Sequence, residues 1–551
     1  MKLTRDAQFG SPWVWLTASA VSISLISVLG LLLLIGWQGL TYFWPAPLYQ
    51  WQTQDGELMV GQLYDRETVN VQYLQDIGVD LPQAVLEQGQ VQRLTVKIAN
   101  RDIFPADFVS ILNLHLSPPS LAHGWVVLQR TQDGQFYGKP IGFKSSIADA
   151  PSLLTTSQWL EQAYAQAQQI RLEIEQSARP KIRQLANELA ILRQAAGRHQ
   201  SIDRHLASGL SFAEQEQLLI KELALAEHHL VQLNGQLEAQ ALLVKDMTGA
   251  THAIAIGHIL NYWYPNEMSW ADKIRHWTQH LWLFLSDSPR DSNSEGGVFP
   301  AIFGTVLLVL LMSVMVMPLG VMAAVYLHEY AKDTTFTRLI RVAVINLAGV
   351  PSIVYGVFGL GFFVYTIGAN IDNLFYAERL PAPTFGTPGL LWAALTLALL
   401  TLPVVIVSTE EGLTRIPPSV RYGSLALGAT QFETIWRIVL PMASPAIITG
   451  LILAIARAAG EVAPLMLVGA VKLASSLPVD GQFPYVHLER KFMHLGFHIY
   501  DVGFQTTNIE AARPLVYATA FLLVAVVITL NLTAIYIRNN LREKYRTLGQ
   551  D

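Results

Sequence analysis

The sequence predicts an α-helical protein that crosses a membrane six times and carries an α+β insertion after its first span. Hydrophobic residues make up 51% of the 551 positions and charged residues only 14%, which is too apolar for an ordinary soluble protein. The apolar residues are concentrated in six runs, whereas most acidic and amide residues lie between positions 45 and 290. We therefore expect a polytopic membrane protein with one polar domain.

The first apolar run, residues 13–44, follows a short polar N-terminus at 1–12 and is long enough to cross a hydrocarbon core of about 30 Å. It ends in an aromatic cluster that includes Trp37 and Trp44, rather than in the small residues of a signal-peptide cleavage site. We expect a retained spanning helix. The five further spans are predicted at residues 299–327, 345–368, 390–407, 443–470 and 515–537.

Lysine and arginine in the short flanks of these spans predict the orientation. One side carries Lys2, Arg5, Lys332, Arg338, Arg341, Arg415, Arg421, Arg437, Arg538, Arg542, Lys544 and Arg546. The other carries only Arg379, Lys472, Arg490, Lys491 and Arg513. Both termini, including the tail at 538–551, are expected to be cytoplasmic, and the insertion is expected to face the periplasm.

The insertion, residues 45–290, changes character along its length. Alternating apolar residues at 91–98, and a run at 125–129 that leads into the turn at Asp133 and Gly134, predict an antiparallel β unit over about 50–150 and 250–265. Leucines at helical spacing predict a helical hairpin over about 157–245. A capping box at 211–214 is expected to start its second helix.

A polar segment at 410–441 has a fixed spacing: a triplet, three residues, a glycine, nine residues, and then Ile-x-Leu-Pro. Its fixed positions are Tyr422, Gly423, Ser424, Gly428, Ile438, Leu440 and Pro441. Glycine adopts bent or left-handed backbone without a Cβ clash, so two short helices are expected to meet at Gly428, with Pro441 starting the next spanning helix. The spacing resembles the coupling loop of ABC import permeases, Glu-Ala-Ala-x3-Gly-x9-Ile-x-Leu-Pro, with Tyr422 in place of the acid. The alternative is an ordinary amphipathic loop with a glycine hinge.

Arg457 and Glu461 are the charges of the predicted span at 443–470, and their spacing places both on one helix face. A charge within the bilayer costs roughly 2.5–3.5 kcal/mol on insertion scales, so it is retained facing a bundle interior or a polar path. The residues fit two readings equally well. The pair either locks two helices together, or lies on an anion pathway where the guanidinium binds a tetrahedral oxyanion.

Three stretches together are similar to the PstA family of phosphate ABC-transporter permeases: residues 296–305, 351–356, and Ala456-Arg457-Ala458-Ala459-Gly460-Glu461-Val462-Ala463-Pro464. The resemblance is strong from 296 to the C-terminus and weak over the first span. It implies the ABC importer permease fold over 296–537 and roles in phosphate passage for Arg457 and Glu461. It also implies the partners PstC, a homologous permease, two copies of the ATPase PstB, and the phosphate-binding protein PstS. The insertion departs from the short family members, and no function is carried over to it.

Other chemistries have little support in the sequence. No Gly-Lys-Ser/Thr motif occurs, so the chain is expected not to hydrolyse ATP, and nothing indicates a cofactor or nucleic-acid binding. His328-Glu329 begins like a zinc-protease helix but lacks the second histidine, so a membrane-edge segment is expected rather than a metal site. Two rivals stay open: a permease for another oxyanion such as sulfate or molybdate, and a membrane sensor or scaffold whose external coiled coil binds a partner.

Overall fold

The computed structural model describes residues 12–76, 89–145, 156–198, 212–290, 295–377, 381–481, 483–506 and 509–547. The chain forms two compact units: residues 1–44 with 277–551, here called the membrane unit, and residues 45–276, here called the insertion unit. Several sequence features lie outside the described residues: Lys2, Arg5, Ser211 of the predicted capping box, most of the hairpin connection, and the last four residues of the tail.

Six helices in the described residues are long and apolar enough to cross a membrane. Each consists of residues with little polar content over at least 18 positions, as a hydrocarbon core requires. They span Trp13–Thr41, Phe299–Tyr330, Ser352–Phe375, Leu390–Thr414, Gln431–Gly460 and Ala512–Asn540. The prediction of a six-span helical protein is confirmed.

Two predicted spans have wrong boundaries. The helix predicted from 345 begins at Ser352, because Thr335–Leu347 is a separate helix that ends before Pro351. Proline disfavours helical backbone in the residue before it, which separates the two helices. The helix predicted over 443–470 ends at Gly460, and a second short helix, Ala463–Val468, follows it.

The core of the membrane unit surrounds Leu390–Thr414, which packs against Phe299–Val325 and Leu440–Gly460. Close approach at this core depends on small residues: a Cβ on Gly304 would lie 2.1 Å from the carbonyl oxygen of Met493. The remaining helices of this unit are Pro418–Ala426 and Leu495–Phe504, and the last helix extends over Ile509–Thr547. Trp270–Ser286 begins in the insertion unit and ends in the membrane unit.

The insertion unit contains two five-stranded antiparallel sheets. Its strands are β1 Leu48–Gln52, β2 Leu58–Asn70, β3 Gln90–Lys97, β4 Phe108–Leu112, β5 Ser120–Leu121, β6 Val126–Arg130, β7 Gln135–Ser145, β8 Gln240–Lys245, β9 Thr251–Ala255 and β10 Ile259–Trp263. The orders are β4-β3-β2-β1-β5 and β10-β6-β7-β8-β9. The predicted turn joins β6 to β7, with positive φ at Asp133 and Gly134.

The insertion unit also contains the short helix Val71–Asp76 and two long helical arms. The first arm is Thr156–Arg198, with a π-helical stretch at Ile174–Ala178, and the second is Phe212–Glu238. Residues at the base of the arms, including Trp159 and Leu237, share a core with β7 and β8. The α+β character predicted for the insertion is confirmed, although its β part is larger than one small sheet.

Candidate functional sites

The loop between the fourth and fifth spans begins with the helix Pro418–Ala426. Gly428 has φ +90°, and the N–H groups of Gly428 and Ala429 donate to the carbonyls of Leu425 and Ser424. These two bonds form a Schellman motif, which ends a helix at a residue with positive φ. The bent glycine predicted at 428 is therefore present, and it sets the angle at which the chain leaves the first loop helix.

The second loop helix starts at Gln431 and is fixed to the first. Thr430 caps it through the N–H of Glu433, whose carboxylate accepts from Thr430 in return. Between the two helices, the hydroxyls of Ser424 and Thr434 form a buried 2.9 Å hydrogen bond. The loop is consequently a braced pair of helices rather than a flexible connection.

Pro441 lies in the first turn of the α-helix Leu440–Gly460, as the sequence predicts. A helical segment leads directly into this helix, however, so the span starts before Pro441. The helical path is continuous over Gln431–Gly460 and contains a π-helical stretch, Ile435–Val439, just before the proline. Proline has no N–H for the preceding turn and its ring crowds that turn, and the wider π stretch relieves both problems.

Arg421 anchors the loop to the rest of the membrane unit. Its Nη2 lies 2.7 Å from Oε1 of Glu329, at the end of the second span, and both side chains are largely buried. The guanidinium also donates to the carbonyls of Leu413 and Ile416. One cation therefore joins the ends of two spanning helices to the first loop helix.

The outer side of the loop is aromatic and uncovered. Leu427 is 91% exposed and Tyr422 70% exposed, and the rings of Phe432 and Trp436 stack at 6.2 Å in the open. Gly423 and Gly428 have nothing within 4 Å of a hypothetical Cβ. An apolar face of this kind, with small residues inside it, is typical of a surface that another protein covers.

The structure brings Arg457 and Glu461 together, with Nε and Oε1 3.6 Å apart. The helix that carries Arg457 ends at Gly460, so Glu461 is its extended C-cap and not a residue on the same helix face. The helix ends there because Pro464 has no N–H to offer the Gly460 carbonyl. The prediction that the pair lies at the middle of one long helix is therefore wrong, although the contact itself forms.

The pair lies at the side of the bundle. Ala454 and Ala458 are fully buried in the core, whereas the side chains of Arg457 and Glu461 are 32% and 21% exposed. Along the helix, Arg457 is roughly 24 Å from Pro441 at 1.5 Å per residue. The loop and the charge pair thus occupy opposite ends of one spanning helix, and the pair is neither sealed in the core nor fully open.

Glu329 is a site residue that the sequence analysis considers only as part of an incomplete zinc-protease motif, without a partner. It lies 92 positions from Arg421, and its neighbour His328 contacts Thr414 of the fourth span. No spacing rule connects residues so distant in sequence. In the sequence, Glu329 is a carboxylate just after an apolar run. This position indicates a membrane edge, but it does not indicate that Arg421 is its ion-pair partner.

Residues 316–547 match the family model described as the binding-protein-dependent transport system inner membrane component. The chain is 36% identical over 244 residues to the phosphate transport system permease protein PstA 1 of Mycobacterium tuberculosis, covering 44% of this chain and 71% of that protein. It is 33% identical over 255 residues to the phosphate transport system permease protein PstA of Yersinia pestis, covering 46% and 76%.

Among solved structures, an inward-facing MetNI methionine ABC transporter covers 48% of this chain and 98% of its own, at 19% identity and a TM-score of 0.33. A TM-score of that size supports no comparison of geometry.

Proposed function

The chain belongs to the PstA family of phosphate transport system permeases, and from this membership we propose that its Arg457–Glu461 pair lies on the route of inorganic phosphate through an importer. The chain is the multi-pass permease subunit of an ATP-driven phosphate importer and is not itself an enzyme. Such a permease works with an ATPase and a substrate-binding protein. We propose that the ATPase is PstB in two copies, that the substrate-binding protein is PstS, and that PstC is the second permease.

The observation that carries the pathway proposal is the position of Arg457. Its Nε lies 3.6 Å from a carboxylate oxygen at the end of a spanning helix, and 32% of its side chain is exposed, so an anion can reach it. A guanidinium binds a tetrahedral oxyanion by two parallel hydrogen bonds, and Glu461 competes for the same donors. The carboxylate therefore keeps the cation occupied between transport events and weakens phosphate binding enough for release.

Labelled phosphate uptake by the assembled transporter tests this role. Arg457→Gln should abolish most uptake, and Arg457→Lys should recover only part of it because an ammonium lacks the planar fork. The matched control is Arg338→Gln, since Arg338 also pairs with a nearby carboxylate, Asp333, but is exposed outside the spans. Undiminished uptake by assembled Arg457→Gln protein would remove the pathway role. Excess sulfate or molybdate should not compete.

The segment 410–441 is proposed to dock on the ATPase. Its support is the braced helix pair and the uncovered face formed by Tyr422, Leu427, Phe432 and Trp436. Closure of the two ATPase subunits around ATP would move this segment and tilt the bundle between outward-open and inward-open forms. Leu427→Asp should release the ATPase during purification, whereas Leu225→Asp, at an exposed leucine of the insertion, should not. Full ATPase retention by Leu427→Asp protein would contradict the docking role.

We propose an inner-membrane location, with the loop and both termini in the cytoplasm and residues 45–290 in the periplasm. The support is the lysine and arginine bias of the short flanks. The chain contains no cysteine, so a single introduced cysteine reports its own side. Cysteine at Leu225 should react with an impermeant maleimide in intact cells, and cysteine at Leu427 should react only after permeabilisation. The reverse pattern would invert the topology.

A further inference from the structure

A cavity of about 240 Å³ lies in the membrane unit, outside the six spans. It is lined by Val471, Leu473, Ala474, Ser475, Ser476, Arg490 and Lys491. The two lining segments are held together by the backbone, because the N–H of Val471 donates to the carbonyl of Phe492, which is fully buried. The N–H of Leu390 binds the carbonyl of Arg490 in the same way. These bonds fix the backbone beside the cavity, while Leu473, Ser475 and Lys491 are exposed at its opening.

The polar groups around the cavity are mostly donors. Nη1 of Arg490 donates to the carbonyl of Leu477 at 2.8 Å and to Oδ2 of Asp480 at 2.6 Å. Its Nε and Nη2, the Lys491 ammonium and the hydroxyls of Ser475 and Ser476 make no hydrogen bond within the described part of the chain. Each of these groups can donate to an anion.

Among the described residues, the lining itself contains Arg490 and Lys491 and no carboxylate, and the acidic residues nearby have other partners. Asp480 neutralises one side of Arg490 and also binds His487. Glu489 contacts the other ring nitrogen of His487, and Asp501 pairs with Lys472. Two cations line the cavity and a single carboxylate touches one of them, so the lining favours an anion.

The volume and the donor types restrict the ligand. At roughly 30 Å³ per water, the cavity has room for about eight waters, enough for a small oxyanion with part of its hydration shell. Guanidinium, ammonium and hydroxyl donors together suit the several oxygens of a phosphate group. A metal cation would meet two positive charges there.

We propose that this cavity is a second anion site, where inorganic phosphate binds before it reaches Arg457. This inference rests on the proposed function. The cavity and the charge pair lie at the same end of the fifth span, since only the short helix Ala463–Val468, roughly 9 Å long, and its flanks separate Glu461 from Val471. In this proposal Lys491, Ser475 and Ser476 bind the incoming anion. Arg490 holds the 477–480 loop through Nη1 and donates to the anion through Nε and Nη2.

The test is labelled phosphate uptake by the complete transporter as a function of phosphate concentration. Lys491→Gln should raise the apparent KM several-fold with little change in the maximal rate, and Lys491→Glu should raise it roughly tenfold because attraction becomes repulsion. The double variant Ser475→Ala/Ser476→Ala should raise the apparent KM less than Lys491→Glu does. Added salt should shrink the difference between wild type and Lys491→Gln. Lys221→Gln, at an exposed lysine of the insertion unit without a partner in the described residues, is the control and should leave KM unchanged.

A normal KM in both Lys491→Glu and the double serine variant would overturn the second site. If Arg457→Gln abolished uptake in the same assay, the pathway proposal would survive that result. The phosphate group of a lipid headgroup could occupy the same cavity, so uptake is measured in vesicles of zwitterionic lipid and in vesicles of anionic lipid. A KM change confined to anionic vesicles would assign the cavity to a lipid headgroup and overturn the inference.

Discussion

Arg421 of the first loop helix and Glu329 at the end of the second span form a largely buried ion pair at 2.7 Å. The pair connects the surface that is proposed to receive the ATPase to the helix bundle that is proposed to carry the transport route. Because Arg421 also donates to two carbonyls where the fourth span ends, displacement of the loop must move these helix ends or break the contacts.

Loss of this pair is expected to separate ATP hydrolysis from transport. Glu329→Gln removes the charge of a buried partner, and such a hydrogen bond contributes about 1.5–3 kcal/mol. Uptake should fall several-fold while the ATPase stays bound. The measurement is phosphate transported per ATP hydrolysed. The control is Arg338→Gln, at the exposed pair with Asp333, which should leave this ratio unchanged. If the ratio were also unchanged in Glu329→Gln protein, the Arg421–Glu329 pair would not couple ATP hydrolysis to transport.

Substitution of Gly428 is expected to cost more than substitution of Gly423. Neither glycine has a neighbour within 4 Å of a Cβ, but only Gly428 has positive φ, at +90°. An alanine there carries a backbone penalty of about 1–2 kcal/mol that the other site avoids. Gly428→Ala should reduce uptake and Gly423→Ala should not. Equal uptake by the two variants would show that the loop tolerates another backbone path.

Burial of His498 predicts a stability that depends on pH. The side chain is 2% exposed and neither ring nitrogen has a partner among the described residues. Burial lowers the pKa of His498 to about 4, with Asp501 opposing this shift and Lys472 adding to it. The unfolded chain takes up the proton near pH 6.5, so stability should fall as the pH drops from 6.5 towards 4.

His498→Leu is the corresponding variant. Removing an unpaired buried imidazole should be neutral or stabilising at pH 7, and it should reduce the decline in stability between pH 6.5 and 4. Part of the decline should persist, because burial also lowers the pKa of His494 and of His276 to about 4. Thermal unfolding in detergent at several pH values measures both effects. His228→Leu, at an exposed histidine of the insertion, is the control. A loss of several degrees at pH 7 in His498→Leu would indicate that the ring has a partner after all.

Asn266 is expected to stabilise the first sheet of the insertion unit. Its amide donates to the carbonyls of Leu48 and Ala122 and accepts from the N–H of Leu48. Asn266→Ala breaks three hydrogen bonds and leaves backbone groups unpaired, at a cost of about 2–3 kcal/mol. Hydrogen exchange of the Leu48–Gln52 strand should accelerate accordingly. Exchange at the wild-type rate would contradict this role. Asn113→Ala, at an exposed asparagine whose side chain makes no hydrogen bond to the described residues, should leave this exchange rate unchanged.

The sequence predicts those parts of this protein that depend on local patterns. Six apolar runs, the alternation at 91–98 and the glycine at 428 each determine structure within a few residues of themselves, and all have counterparts in the structure. The predicted permease fold is confirmed, since residues 316–547 match the family model. The bounds 296–537 stay a prediction. The roles of Arg457, Glu461 and the loop residues stay predictions.

Features that depend on distant contacts were not predictable. Glu329 and Arg421 meet only because the second and fourth spans end side by side, and the cavity at Lys491 forms because Phe492 binds back to Val471. The helix end at Gly460 was missed for a different reason. Proline is common in membrane helices, so Pro464 alone did not indicate whether the helix bends or ends.

The π-helical stretch at Ile435–Val439 changes how the fifth span can be projected. A π-helical stretch contains one residue more than the α-helical repeat. The side chains that follow it are therefore rotated about the helix axis by about 100° relative to their positions on a regular helix. A helical wheel drawn from the loop to Arg457 would therefore assign lipid-facing and subunit-facing positions to the wrong sides. Crosslinking sites meant to capture the second permease along this helix must be chosen separately below and above residue 439.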